Sequence, residues 1–193
     1  EWTRFSTTFD PRQTARLTSG HALLGWSSDV LSLAAGARLV DHDRFGSHWT
    51  FGADGAVQLG RGWRIKASFG EGFKAPTLSQ LYGFGGNVDL QPEESRSYDL
   101  GVENGDRNGA LHFAFTVFRR DAANQIDYVS PAGYFNIRRT RATGLELEFG
   151  AKVSETLALR AAYSHIEATN RVTDRDLARR PRDLLSISGD WQA

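Results

Sequence analysis

Apolar and polar residues alternate along about ten segments of this chain, and helical periodicity is weak throughout. An alternation with a period of two places successive side chains on opposite faces of an extended strand. Each segment is close to the roughly ten residues that a tilted membrane-spanning strand requires. The sequence therefore predicts an all-β protein. The segments lie near residues 2–9, 20–28, 30–40, 48–59, 63–71, 96–104, 110–120, 134–149, 156–167 and 183–192.

The register of these segments is well specified, because a slip of one residue would move charged side chains to the apolar face. At the middle of a bilayer that move costs about 2–4 kcal/mol for each Arg or Lys. In segment 63–69 one face would hold Trp63, Ile65, Ala67 and Phe69, and the other would hold Arg64, Lys66 and Ser68.

Connection lengths distinguish a membrane barrel from a soluble sandwich, which alternation alone does not. Short and long connections follow one another along the whole chain, and the long ones are charged. Short periplasmic turns and long extracellular loops produce this order in an antiparallel, up-and-down transmembrane β-barrel. The short connections are 28–30, 60–62, 105–109 and 150–155, and the long ones are 10–19, 41–47, 72–95, 121–133 and 168–182.

The aromatic residues support the same interpretation, since they collect at the two ends of the predicted strands rather than at their middles. Two aromatic belts at opposite ends fit the two interfaces of a membrane. The alternative is that aromatic residues simply favour strands. Trp26, Trp63 and Trp191 lie at the short-turn ends, and Trp49, Tyr128 and Tyr134 lie near the long-loop ends.

Composition excludes several functions. Lys and Arg number 23 and Asp and Glu number 23, so the chain has no net charge, and we predict no nucleic-acid partner. The chain contains no Cys, which removes disulfides, thiolate nucleophiles and thiolate metal ligands. No run approaches the roughly 18 apolar residues of a transmembrane helix.

Catalytic chemistry also finds little support. Ser164 and His165 are adjacent, so in a strand they would point to opposite faces and could not form a nucleophile and base pair. His42 between two aspartates could hold a cation, but a lone triplet is weak evidence and a solvated loop explains it better. We therefore predict no catalytic residue, no metal site and no cofactor, and a protein that is not an enzyme.

Arginines form two groups near the long-loop ends of the predicted strands. Basic loops at an outer surface could hold lipopolysaccharide phosphates or an anionic ligand. Interleaved aspartates at 174, 176 and 183 leave a mutually neutralised loop as the alternative. The first group is Arg138, Arg139 and Arg141, and the second is Arg171, Arg175, Arg179, Arg180 and Arg182.

The longest connection, 72–95, carries the most distinctive motif. Pro76 and Pro92 cannot donate to a strand ladder, so the flanking strands must end before them. Residues 76–82 can form a short helical turn with apolar anchors. Connections of this length are usually functional or disordered. We expect a partly ordered functional loop.

The sequence Gly72-Phe73-Lys74-Ala75-Pro76 through Tyr82, followed by Leu90-Gln91-Pro92-Glu93-Glu94-Ser95, resembles the signature of TonB-dependent outer-membrane receptors. Residues 80–87 are most similar to the cobalamin-receptor branch, although Val88 stands where that branch usually has Pro. Other pieces in matching order include Ser97–Glu103 and Arg141–Glu148.

The resemblance implies a location in the bacterial outer membrane and a barrel of about 22 strands closed by a plug. Residues 1–193 would then be part of that barrel, without the plug domain, the first strands and the last strands. The function implied is import of a scarce nutrient, most simply cobalamin, driven by the TonB complex acting through the missing N-terminal part. Alternatives are a ferric-siderophore or haem receptor and, from another class, a soluble all-β binding module.

Ligand contacts are expected in the extracellular loops. By position, the candidates in the longest loop are Tyr82, Phe84 and Asn87. The basic segments add Arg138, Arg179 and Arg180. Loop packing is an equally simple role for the first three. The expected partners are outer-membrane lipid and lipopolysaccharide, the TonB complex, and a small-molecule ligand that is either cobalamin or an iron chelate.

Overall fold

The computed structural model describes residues 2–5, 12–177 and 181–191. Within these ranges the chain forms eleven strands and one short helix. The sequence anticipated all of the strands except β10, which has two residues. The elements are β1 (Trp2–Phe5), β2 (Gln13–Ser27), β3 (Leu31–His42), β4 (Gly46–Gly60), β5 (Trp63–Lys74), α1 (Leu78–Tyr82), β6 (Glu93–Asn104), β7 (Leu111–Val129), β8 (Gly133–Lys152), β9 (Leu157–Asn170), β10 (Arg175–Asp176) and β11 (Asp183–Trp191).

Each strand pairs antiparallel with the next one along the chain, so the sheet has up-and-down topology from β1 to β9. β10 and β11 both pair with β9, β10 near the far end of that strand and β11 along the rest of it. This arrangement confirms the predicted fold class. In the described ranges, no helix combines the length and the apolar character needed to cross a membrane.

Cross-strand pairs place the apolar and polar residues on two separate faces, as the alternation predicted. Paired residues share a face, and one row runs from Ile65 through Val102 and Phe115 to Leu147. We call this apolar side the outer face. The adjacent row runs from Lys66 through Gly101, Thr116 and Glu146 to Ser164 and belongs to the polar inner face.

The inner face carries its charges as hydrogen-bonded pairs near the short-turn ends of the strands. The side chain of Glu103 lies mostly buried between the cations of Arg64 and Lys66. Arg107 donates to Glu148 at 2.7 Å. Paired charges on this face are consistent with a water-filled or protein-filled barrel interior.

The aromatic residues at the short-turn ends lie where the belt hypothesis requires. Trp26, Trp63 and Trp191 are exposed on the outer face, with 58, 41 and 74 % of their surface accessible. At the opposite end Trp49 stacks on Phe51. Tyr128 and Tyr134, which were also predicted to belong to this belt, lie instead near the tip of the β7–β8 hairpin.

Loop lengths agree with the prediction at the short turns and at the longest connection, which covers residues 75–92 and contains α1. The turns after β2, β4, β6 and β8 are short, as expected. Two of the predicted long loops are absent as loops, because β3 and β4 join across residues 43–45 and β7 and β8 join across 130–132. Both faces are polar beyond the apolar band, so the hydrophobic alternation fades there although the backbone ladder continues. The predicted ends of β2 and β7 on this side are therefore wrong: β2 begins at Gln13 rather than near residue 20, and β7 ends at Val129 rather than near residue 120.

Candidate ligand site at the mouth of the inner face

The connection between β5 and β6 remains the one long described loop, and it is folded rather than open. Thr77 caps α1: its hydroxyl accepts the backbone N–H of Gln80, and the Gln80 side chain accepts the backbone N–H of Thr77. This capping box satisfies backbone donors that a short helix leaves unpaired. The predicted helical turn is confirmed.

Apolar anchors press this loop against the inner face. Leu78, Leu81 and Leu90 are buried, with only 7, 3 and 1 % of their surface accessible. Val40 and His42, which belong to the inner face of β3, are also buried, and they line a small cavity together with residues of the loop. The loop therefore folds inward and narrows the mouth of the inner face.

A single arginine from the β3–β4 turn fastens the middle of the loop. The two terminal amino groups of Arg44 donate to the Tyr82 hydroxyl and to the Val88 carbonyl, each at 2.5 Å. Its guanidinium also lies 5.8 Å from the centre of the Tyr82 ring. Tyr82 is thus held by an intramolecular contact.

The tip of the β7–β8 hairpin fastens the far side of the loop. Asn87 donates to the Tyr134 carbonyl at 3.1 Å, and the Tyr134 N–H donates to the Gly85 carbonyl at 2.9 Å. Gly85 has a φ of +68°, and a Cβ there would lie 3.0 Å from the Tyr128 ring. Tyr128 and Tyr134 therefore contact the loop. They lie near the tip of the hairpin, whereas the prediction placed them in an aromatic belt at the membrane interface.

The six predicted ligand contacts separate into three groups. Tyr82 and Asn87 are engaged in packing the loop, so the packing alternative describes their observed contacts. Phe84 projects from the loop with 93 % of its surface exposed. Arg179 and Arg180 lie outside the described residues, and so does the side chain of Arg138, whose backbone belongs to β8.

Three cations of the inner face were missed at the sequence level. Arg38 and Arg120 are exposed, and within the described ranges neither side chain has a hydrogen-bond or ion-pair partner. Lys74 donates to Glu93 at 2.9 Å beside a depression of about 220 Å³ that Arg120 also lines. The two-residue alternation within the predicted segments 30–40 and 110–120 places Arg38 and Arg120 on the polar face, so this signal was present in the sequence.

The outer face carries a separate group of charges just beyond its apolar residues. The Asp121 carboxylate accepts hydrogen bonds from Arg119 and Arg141, both at 2.6 Å. Partial burial would raise the pKa of Asp121, but the two guanidinium groups outweigh burial and hold that pKa below its ordinary value. Nearby, Arg96 donates to Glu71 at 3.0 Å.

Other candidate chemistry does not assemble. His42 accepts the backbone N–H of Arg44, and Asp41 accepts the Ser47 hydroxyl, so this triplet shapes a tight turn. Among residues 2–5, 12–177 and 181–191, no three metal-ligating side chains come together. The register places Ser164 and His165 on opposite faces of β9, as predicted.

An antiparallel up-and-down sheet with an apolar outer face and a polar inner face is the architecture of an outer-membrane β-barrel. A sequence model described as the TonB-dependent receptor-like β-barrel matches residues 2–193. The chain therefore belongs to the TonB-dependent receptors, whose β-barrels lie in the bacterial outer membrane.

Solved structures agree with this membership. The siderophore receptor PirA from Pseudomonas aeruginosa is 26 % identical with a TM-score of 0.81, over 95 % of this chain and 36 % of its own. A variant of the ferric enterobactin receptor PfeA from the same organism, in complex with enterobactin, is 25 % identical to this chain with a TM-score of 0.81. The match covers 94 % of this chain and 31 % of the receptor. The ferripyoverdine receptor of that organism, bound to ferripyoverdine, shares the fold at 18 % identity and a TM-score of 0.74. The match covers 93 % of this chain and 26 % of the receptor. The chain thus spans about a third of the length of the structures it matches.

Proposed function

We propose that this chain supplies part of the barrel and part of the ligand mouth of a receptor that imports a ferric siderophore across the outer membrane. The observation that carries this proposal is the inner-face mouth itself, narrowed by the folded loop and flanked by Arg38 and Arg120, two cations without a side-chain partner among the described residues. Ferric siderophores are commonly anionic, and unpaired guanidinium groups are suited to bind such ligands.

The similar structures that carry siderophore names support this ligand class. The cobalamin expectation rested on residues 80–87 and Leu90–Ser95, and it finds no support in the comparisons. Most of these motif residues hold the loop in place, a task that does not depend on which ligand enters. The soluble binding module is set aside by membership of the barrel family.

Transport, rather than catalysis, fits the polar inner face. In the whole receptor, a plug would fill the barrel and the TonB complex would supply the energy for release. Residues 1–193 would be a section of that barrel, since the solved relatives are about three times as long. Phe84, exposed at the mouth, would offer an apolar surface to an aromatic or apolar part of the ligand.

The test is uptake of radiolabelled iron, presented as ferric siderophores, by cells that carry the full-length receptor with and without a working TonB complex. We expect TonB-dependent uptake of at least one siderophore, and Arg120→Ala should weaken its binding about tenfold through loss of a charge-assisted contact. Labelled cobalamin is the comparison. TonB-dependent uptake of cobalamin alone would overturn the proposed ligand and restore the expectation drawn from the sequence.

A further inference from the structure

The folded loop encloses a cavity against the inner face of β1, β2 and β3, which we call the loop cavity. One wall consists of inner-face residues of these strands, and the other runs from Phe73 to Leu78, at the end of β5 and the start of the loop. The volume is about 290 Å³, close to the lower end of the roughly 300–1,000 Å³ of small-molecule pockets. Lys74 lines this cavity and also the depression beside Arg120, but Arg120 does not line the cavity.

Apolar side chains from both walls meet in the loop cavity. Leu17 and Val40 come from the strands, and Phe73 and Leu78 come from the opposite wall. Val40 and Leu78 are among the most buried residues of the described chain. Such walls stabilise a ligand through the apolar surface that it buries, so the body of the ligand should be apolar.

His42 is the buried polar group of the loop cavity, with 6 % of its surface accessible. The backbone N–H of Arg44 donates to its Nδ1 at 3.1 Å. The Asp43 carboxylate also lies 3.0 Å from Nδ1, but the N–H of Arg44 is fixed by the backbone and points at this nitrogen. Nδ1 is therefore an acceptor and the ring proton lies on Nε2. In the described part of the chain Nε2–H has no hydrogen-bond partner, so it is a donor available to a ligand.

The charged side chains at the loop cavity are cationic. Arg38 lies two residues before Val40 on the same face of β3, and its guanidinium has no side-chain partner among the described residues. Lys74 donates to Glu93, and two further N–H donors of its ammonium remain. Within residues 2–5, 12–177 and 181–191, no carboxylate lines the cavity. Every free polar group there therefore suits a ligand that supplies anionic oxygens.

We propose that the loop cavity binds a carboxylate group carried on a small apolar body. Arg38 would hold the carboxylate through two parallel hydrogen bonds, the geometry that a guanidinium favours. His42 Nε2–H would add a third donor, and the apolar walls would cover the body of the ligand. The carboxylate could belong to a free organic acid or to an arm of the imported siderophore. The second source rests on the proposed function, whereas the cavity itself does not.

The experiment measures binding of para-fluorobenzoate to the purified full-length receptor by fluorine NMR, without iron and without the TonB complex. This probe joins a carboxylate to a small apolar ring. Para-fluorobenzamide has nearly the same shape but no charge, and it should bind about tenfold more weakly, because charge-assisted hydrogen bonds are lost.

Three variants locate the probe in the loop cavity. Arg38→Gln should weaken its binding about tenfold. His42→Asn retains an acceptor for the Arg44 N–H and removes the Nε2 donor, so it should weaken binding about threefold. Ala15→Trp should abolish binding by filling the cavity. Thr14→Trp is the matched control, because it places the same ring on the opposite face of β2, and it should bind the probe as wild type does.

Competition distinguishes the two sources of the carboxylate. Displacement of the probe by a ferric siderophore with a free carboxylate, but not by one without it, would identify the imported ligand. Displacement by neither would identify a free organic acid. Displacement by both would place the probe at the mouth and refute the proposal.

Equal binding of the acid and the amide, or unchanged binding in both Arg38→Gln and Ala15→Trp, would also overturn the loop cavity as a carboxylate site. Arg120→Ala should bind the probe at the wild-type level although it weakens siderophore binding. Probe binding and siderophore uptake are thus separate measurements, so this proposal and the proposed function fail separately.

Discussion

Gln91 and Asn136 exchange two hydrogen bonds between the long loop and the β7–β8 hairpin. The Gln91 backbone N–H donates to Asn136 Oδ1 at 2.8 Å, and Asn136 Nδ2 donates to the Gln91 carbonyl at 3.0 Å. The same amide also donates to the Asn124 carbonyl at 2.6 Å. One side chain therefore joins three backbone segments and closes the loop just before β6 begins.

The substitution Asn136→Ala should open the loop without unfolding the sheet. Loss of these bonds leaves backbone groups unpaired and costs about 1–3 kcal/mol. Chymotrypsin should then cleave the loop, at Tyr82 or Phe84, about tenfold faster, because cleavage follows the population of the open form. Asn108→Ala, in the short turn after β6, is the control and should cleave at the wild-type rate.

The two faces of β7 predict different outcomes for neighbouring substitutions. Phe115→Arg places a charge on the outer face, at a cost of about 2–4 kcal/mol near the bilayer middle. Thr116→Arg places the same charge on the inner face, where Glu146 is its cross-strand neighbour. The folded fraction of full-length receptor, measured by heat-modifiable gel mobility, should fall for the first variant only. Equal losses would contradict the assignment of the faces.

The apolar band could be predicted from the sequence because a two-residue period leaves little choice of register. The turn at Gly60-Arg61-Gly62 was also predictable, since the left-handed backbone there, with φ of +85° at Gly60 and +79° at Gly62, favours glycine. Where both faces become polar the period disappears. β7 therefore continues to Val129, well past the predicted end near residue 120.

The candidate site was less predictable, because its contacts join residues distant in the chain. Nothing local in the sequence connects Arg44 with Tyr82, or Asn87 with Tyr134. The two prolines and the length of the connection identified the loop, and its position suggested ligand contact for Tyr82 and Asn87, whose observed contacts are structural. The face of a polar residue beyond the predicted segments depends on continued strand pairing, which propensity does not reveal.

Arg44 provides a second test of the folded loop, independent of the hairpin. Arg44→Ala removes the donors to Tyr82 and Val88, so we expect hydrogen exchange in residues 80–88 to quicken about tenfold. Arg44→Lys should have an intermediate effect, because one ammonium cannot reproduce a planar fork. Arg61→Ala, at the opposite end of the sheet, is the control. Unchanged exchange in the alanine variant would show that α1 is held by its apolar anchors alone.

Asp121 makes the outer-face cluster sensitive to acid. Its pKa is lower in the folded protein than in the unfolded chain, since two arginines stabilise the carboxylate although partial burial opposes them. The ionised group therefore adds stability that is complete above the unfolded pKa, about 3.9, and is lost as the pH falls through the lower folded value.

Asp121→Asn should accordingly destabilise the receptor most at neutral pH, by roughly 1 kcal/mol for a pair that is only partly buried. The measurement is the temperature at which the folded gel band is lost, for wild type and variant, between pH 7 and pH 2. The difference should narrow below about pH 4. Asp29→Asn, in the exposed turn after β2, serves as the matched control. A difference between wild type and Asp121→Asn that is constant with pH would mean that the substitution acts through packing rather than through the charge of Asp121.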